Sequence, residues 1–446
     1  MKNSILVALT LLSLNGFSQE HFSAISTSKR VGILNGDVNP SEFANLSSTI
    51  ELQVFTLSMN VSNNKVGFDD LVKGENIEGL IFNGTENVNF DFNAAIFGPS
   101  FAIRIKKWGF GISSKAFIKA SIIDLDTDLG NALLNNELNS VSNITDIFST
   151  DNQRVNATTW GELGLSVART VFENEKHQLN AGVTFKLLFP GSYANVGLNN
   201  FNGKIVNDAN GLSLTETNST LNVAYSGSFG ASFGESSDYF KSIFGGLNGL
   251  ATDIGVDYQW LNDSKSYKLK AGTSIRNIGS MTFSGDNNVS QNYALNIPSG
   301  QSLDLNVFAN VGGIKDIETE LDNSAFFTKS SSAEEFKVQL PTVLNIYADF
   351  KIIRHVAVTA FLQQKLNDQN ADNQINTQNM FTITPRVIFG PFEAFLPIGS
   401  NEIAGGTLGL GFRLGGFFLG SNSILSALTS DTKQADAYFG FRYGFL

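Results

Sequence analysis

From about residue 50 to the C-terminus, apolar and polar residues alternate one by one, the period of a β-strand whose two faces meet different surroundings. In 110–122, Phe110, Ile112, Ala116, Ile118, Ala120 and Ile122 share one face, with Lys115 and Lys119 opposite. In 252–260, Ile254, Val256, Tyr258 and Trp260 oppose Asp253, Asp257 and Gln259. In 267–276, Leu269, Ala271 and Ile275 oppose Lys268, Lys270 and Arg276. In 340–352, Leu344, Ile346, Ala348, Phe350 and Ile352 oppose Asn345, Tyr347, Asp349 and Lys351. The runs are longer than the five or six residues usual in globular strands. About 9–11 tilted residues suffice for a strand to cross a bilayer. The chain ends on the same pattern, DAYFGFRYGFL, with Ala437, Phe439, Phe441, Tyr443 and Phe445 on one side and Tyr438, Gly440, Arg442 and Gly444 on the other.

The connections alternate in length. Tight turns are expected at 106–107, 173–177, 262–265, 353–354, 390–391 and 415–416. Long polar stretches, with some helical content, are expected at 63–87, 124–153, 196–249, 280–337, 367–378, 399–404 and 423–435. Short turns on one side and long loops on the other are the outer-membrane barrel pattern. These connections separate about fourteen strands, so the predicted fold is all-β, a transmembrane antiparallel β-barrel over 50–446. Two further strand-like runs, 214–225 and 303–311, are read as hairpins within the external loops; if they crossed the membrane, the barrel would have sixteen or eighteen strands. A soluble two-sheet sandwich would instead show shorter strands and more regular turn spacing.

Composition sharpens this reading. Charged residues are only 16% of the chain, with 42 Gly, 38 Phe and 8 Pro, against about 25% charged in soluble domains. A formal charge of −11 argues against a nucleic-acid partner. The absence of cysteine excludes disulfides, thiolate metal sites and a cysteine-linked lipid anchor. At the N-terminus, Lys2, the apolar run 5–14 and small residues before Gln19 predict a cleaved export signal over 1–18. The expected location is the cell outer membrane, with membrane lipid and the barrel assembly machinery as partners.

Four segments carry a family resemblance. The stretch GILNGDVNPSEFA at 32–44 precedes the first strand, and its Asn39-Pro40-Ser41 resembles the Asn-Pro-Ala element of the long-chain fatty-acid transporter family, with Ser in place of Ala. The segments LPTVL at 340–344, DIGVDY at 253–258 and IRNIG at 275–279 resemble the same superfamily, including the related shuttle barrel of type IX secretion. As a whole the chain looks closest to an uncharacterised branch of these barrels, a domain-of-unknown-function family. The resemblance implies a fourteen-stranded barrel with an N-terminal hatch, here 19–49. The ending also resembles the C-terminal signal by which such barrels are recognised for insertion, with Phe439, Phe441, Tyr443 and Phe445 as its residues; the last aromatic is penultimate to Leu446.

No catalytic constellation is visible, and no enzyme, cofactor or metal is expected. His21, His177 and His355 are isolated, and no HExxH, nucleophile elbow or P-loop occurs. Asp124, Asp126 and Asp128 have calcium-loop spacing, but Leu129 and Asn135 stand where Gly and Glu are wanted, and an ordinary acidic loop accounts for them. The same holds for Asp368, Asn370 and Asp372. With the apolar faces toward lipid, Lys115, Lys119, Lys186, Lys268, Lys270, Arg276 and Arg442 point inward as candidate ligand-binding charges. Arg104, Lys351, Arg386 and Arg413 are expected beside them, facing only Glu162, Asp253, Asp257 and Asp349, so the lumen is expected to lean basic. These cations either hold the carboxylate of an amphipathic ligand or pair with lumen acids and with hatch residues such as Glu42. The first functional reading is passive transport of a small hydrophobic or amphipathic molecule. The second is a non-transporting scaffold or secretion accessory that binds a surface partner through its long loops. A continuous apolar pocket or lateral gap fits the first, and a packed, salt-bridged interior fits the second.

Overall fold

The structure, a computed structural model, describes residues 22–28, 30–73, 77–135, 144–209, 211–230, 245–262, 266–284, 288–308, 311–429 and 432–445. The export signal expected over 1–18 and most of the 262–265 turn lie outside them.

Strands form where the alternation is strict, and three of them pause at a proline, Pro99, Pro341 or Pro397. The barrel starts with β1 (Ile50–Asn63), β2 (Val88–Phe97) prolonged past Gly98-Pro99 by β3 (Ser100–Ile105), and β4 (Trp108–Leu125). Next come β5 (Ile144–Phe148) in line with β6 (Gln153–Glu173), then β7 (His177–Asp208). An excursion of β8 (Gly211–Ser226) leads to β9 (Gly249–Leu261) and β10 (Tyr267–Phe283). A second excursion, β11 (Val289–Asp304) and β12 (Phe327–Ala333), precedes β13 (Phe336–Gln339), prolonged past Leu340-Pro341 by β14 (Val343–Ile353). The wall finishes with β15 (Val356–Lys365), β16 (Met380–Phe389) and β17 (Phe392–Phe395), the last prolonged past Pro397 by β18 (Ile398–Asn401). After these come β19 (Gly405–Leu408) with β20 (Leu410–Leu414), β21 (Phe417–Ser421) and β22 (Gln434–Phe445). Counting each prolonged strand once gives a closed antiparallel barrel of fourteen staves.

The final strand is the closing seam. It pairs with β1 from Ser62↔Gln434 to Ile50↔Phe445, so no strand edge is left open there. Phe439, Phe441, Tyr443 and Phe445 are exposed on the outside and Tyr438 is buried inside. Their outward row continues around the wall through such exposed residues as Phe101, Ile112, Phe185, Ile254, Phe350 and Phe412. This is the surface of a barrel solvated by lipid.

One pole of the barrel extends into a folded external layer. The 32 residues of β7 far exceed a membrane crossing; its distal half pairs with β5 on one side and β8 on the other, and the ladder runs on through β11 to β12. Leu129, Ile147, Phe201, Ile205, Leu212, Leu295, Ile297 and Leu303 form a buried apolar core there, with helix Thr127–Asn135 against it. A second core joins Val223, Tyr225 and Tyr293 to helix Ile314–Asn323. The 214–225 run is therefore a strand outside the fourteen staves, paired with the distal half of β7 and with β11. The 303–311 run does not form the strand expected: the strand there begins earlier, at Val289, and ends at Asp304, where a 3-10 turn Leu305–Phe308 takes over.

The connection between β15 and β16 turns inward rather than outward. Buried Arg154 of β6 donates to the Gln369 carbonyl at 2.7 Å and to the Ala371 carbonyl, and Asn152 donates to Asp372 at 2.7 Å. Thus tethered, the loop places Ile375 among Trp160, Leu188, Tyr193 and Phe336, capping the barrel at its external end.

Candidate functional site

The N-terminal segment fills the lumen. Its sequence has no regular period, which frees it to take the irregular path the cavity imposes. Phe22 packs edge-on against Phe97 and Tyr438, and Arg30 reaches the Gly390 carbonyl at a short turn. Helix Ile33–Val38 and 3-10 helix Pro40–Asn45 then fold back through the interior, almost wholly buried.

Asn39, Pro40 and Ser41 form the rivet. The Asn39 side-chain oxygen accepts from the Ser41 amide at 3.0 Å and its hydroxyl at 2.8 Å, capping the 3-10 helix that Pro40 begins. Its amide nitrogen donates to the Val256 carbonyl at 2.9 Å and the Thr273 carbonyl at 3.3 Å, so one side chain joins the segment to two wall strands. Asn45 repeats the device lower down: it donates to Asp257 at 2.9 Å and accepts from Asn180 and Gln259 at 2.9 and 2.7 Å.

Glycines make the seat. A Cβ on Gly182 would lie 2.5 Å from the Pro40 carbonyl carbon, and one on Gly255 would lie 2.1 Å from the Asn39 side-chain oxygen. On β4, a Cβ at Gly109 would meet the Phe43 carbonyl and one at Gly111 its ring. The segment therefore approaches the wall where the wall has no side chains.

Charge locks it in place. Lys270 meets Glu42 at 2.9 Å, and Lys115 joins Asp37 of the segment to Glu162 of the wall, at 3.1 Å from the latter. Lys186 lies 2.8 Å from Asp253 and 3.6 Å from Glu162, and Arg276 lies 3.5 Å from Asp37. Nearer the short-turn end, Glu393 receives Arg413 at 3.0 Å, Arg386 at 3.6 Å and the Ser28 hydroxyl at 2.8 Å. At the seam, Arg442 pairs with Glu51 at 3.0 Å. Burial alone would raise the Asp37 pKa, but Lys115, Arg276 and Lys186 outweigh it and hold the carboxyl well below its usual range. A carboxylate so depressed contributes stability fully present above its ordinary pKa of 3.8 and lost only as pH falls through the lowered value. We therefore expect the segment's resistance to trypsin at Arg30 to be the same at about pH 5 as at neutral pH; sensitivity appearing at about pH 5 would contradict the Asp37 lock.

Of the seven inward charges expected, Lys115, Lys119, Lys186, Lys270, Arg276 and Arg442 are buried inside. Lys119 lies 3.5 Å from the Asn376 carbonyl of the inturned loop. Lys268 is the exception. A β-bulge between Tyr267 and Leu269 shifts the register by one residue, so Lys268 is exposed outside, over the Trp260 ring. The expected basic lean is also corrected: Glu51, Asp91 and Glu393 are buried on the wall, and Asp37 and Glu42 come from the segment, nearly balancing the inward cations. Glu51 and Glu393 were legible as polar positions within alternating runs, IELQVF and FEAF. Asp37, in an aperiodic stretch, gave no such signal.

Among the described residues, two small cavities adjoin the segment. A cavity of about 20 Å³ lies among Phe22, Phe97, Phe117, Phe361, Met380 and Arg276, and another of about 10 Å³ beside Phe43 and Lys115. Each has room for about one water. We expect Lys270→Met, which strands the buried Glu42 carboxylate, to destabilise the docked segment by about 3–5 kcal/mol. Faster tryptic cleavage at Arg30 in an otherwise heat-resistant barrel would show it.

The structure is similar to the TodX deltaS2S3 mutant monoaromatic hydrocarbon channel, with 10% identity, 97% of this chain and 100% of that one covered, and a TM-score of 0.48. It is also similar to the P. putida toluene transporter TodX, at 8% identity, 91% and 92% coverage and a TM-score of 0.40. A Pseudomonas aeruginosa FadL homologue gives 8%, 96% and 98%, and 0.40. No curated protein sequence matches. The profile of DUF5723, a family of unknown function, matches residues 43–422, and the chain belongs to that family.

Proposed function

We propose that this protein is a plugged outer-membrane barrel that holds a folded external layer at the cell surface for a partner to bind. The observation that carries the reading is the lumen: a segment riveted by Asn39 and Asn45 and locked by Asp37 and Glu42, with water-sized cavities beside Phe22 and Phe43. A path for solute needs continuous space, and a buried network of matched charges holds the plug against thermal opening. The external layer supports the same reading, because two apolar cores are more than a loop needs merely to connect strands. In-cell crosslinking through a photoreactive residue at Phe148, which is 75% exposed on β5, tests it. A discrete crosslinked surface or secretion protein is expected; a barrel that crosslinks to nothing while the cell takes up hydrophobic compounds through it would overturn the reading.

One observation favours a second reading, passage of a small amphipathic molecule after the segment moves. The cavity beside Phe22 is walled by Phe97, Phe117, Phe361 and Met380 with Arg276 at its edge, an aromatic pocket with a cation that would enlarge if Phe22 withdrew. Uptake that rises when residues 31–47 are deleted, and is absent in the intact chain, would fit a plug. Uptake by the intact chain that falls on the same deletion would fit a transporter.

A further inference from the structure

The outward faces of the wall are apolar almost throughout, and the cations among them stand at one edge. Arg169 of β6 lies on the outside row with exposed Leu165 and Val171, directly opposite Trp108, the first residue after the 106–107 turn. Its guanidinium stacks on the Trp108 ring at 4.9 Å. Lys268, turned outward by its bulge, lies 5.4 Å from the Trp260 ring. Between them His177 bonds the Tyr258 hydroxyl at 2.6 Å with the two rings stacked. The strands that carry these residues, β4, β6, β7, β9 and β10, are consecutive neighbours in the wall.

We propose that this arc at the short-turn rim binds anionic glycerophospholipids, one phosphate at Arg169 and another at Lys268, three strands along the wall. A cation on the lipid face is costly in hydrocarbon and tolerable at the interface, so Arg169 and Lys268 must direct their charge to the headgroup level. The neighbouring carboxylate of Glu173 is already held by Lys107 at 3.2 Å. Among the described residues neither Arg169 nor Lys268 has a carboxylate within 4 Å. Stacking on tryptophan leaves the guanidinium edge free to grip a phosphate through two parallel hydrogen bonds. The exposed side chains of Phe110, Ile112 and Leu165 beside Arg169, and of Ile254 and Val256 near Lys268, offer apolar tracks for acyl chains. The inference is independent of what the lumen does.

The test uses the full chain in mixed micelles with phosphatidylglycerol or phosphatidylcholine, and native mass spectrometry to read the lipid retained. The unaltered protein should retain phosphatidylglycerol over phosphatidylcholine. An Arg169→Gln, Lys268→Gln variant, checked for heat-modifiable mobility, should lose about tenfold of that retention, equivalent to about 1.4 kcal/mol. An Arg169→Lys, Lys268→Arg variant should keep most of it. Should the glutamine variant not fold, raising salt on the unaltered protein should release the lipid instead. Inorganic phosphate at millimolar concentration should not displace it. Equal retention of the two lipids, undiminished retention in the folded glutamine variant, salt-insensitive retention, or displacement by inorganic phosphate would each overturn the proposal.

Discussion

In a Gly182→Val, Gly255→Val variant the N-terminal segment is expected to leave its seat while the barrel stays closed. The added atoms have nowhere to go, because a Cβ alone at these positions would fall 2.5 Å from Pro40 and 2.1 Å from Asn39. Overpacking costs about 1–3 kcal/mol at each site. Displacing Asn39 also forfeits its bonds to Val256 and Thr273, and the Glu42–Lys270 pair beyond. The strands should tolerate the change, since both positions lie in regular antiparallel pairing at Gly182↔Gly255. Tryptic cleavage at Arg30 should become rapid, and ion conductance across a planar bilayer should appear, while heat-modifiable mobility is kept. An uncleaved, non-conducting variant would mean that the seat adapts, and that the glycines serve the wall rather than the plug.

The second large effect concerns the seam. Deleting 441–446 removes the pairing of Phe441 with Phe55 and of Phe445 with Ile50, together with the buried Arg442–Glu51 ion pair. Glu51 would then lie beside an open strand edge without its cation, a loss of about 3–5 kcal/mol before the unpaired backbone is counted. No heat-modifiable barrel should accumulate in the outer membrane. Normal accumulation of such a barrel would remove both the closing role of β22 and the assembly role expected for Phe439, Phe441, Tyr443 and Phe445.

What the sequence shows and what it conceals follow from the range of each interaction. Membrane crossing is repetitive, so β22, β14 and β9 announce themselves through alternation alone, and the fourteen staves can be counted from it. Orientation follows wherever the register is unbroken, as for Lys115, Lys119 and Lys186. A bulge defeats it, because one extra residue breaks the phase between the side chains on either side of it; Lys268 faces out at the bulge while Lys270 and Arg276 beyond it face in. The plug is harder still. Asn39-Pro40-Ser41 is visible as a motif, yet nothing local says that Asn39 would reach β9 and β10, more than 200 residues away in the chain. The inturned loop 367–378 is concealed in the same way, since its polar sequence suits water and partners distant in the chain, among them Arg154, Asn152 and Lys119, draw it inward.

The barrel is closed from within by its own N-terminal segment. Single-channel recording of the intact protein in a planar bilayer tests it most directly. The intact protein should give a baseline without steps under moderate voltage, and steps should appear once residues 31–47 are removed. Steady open-channel current through the intact protein, unaltered by that deletion, would contradict it.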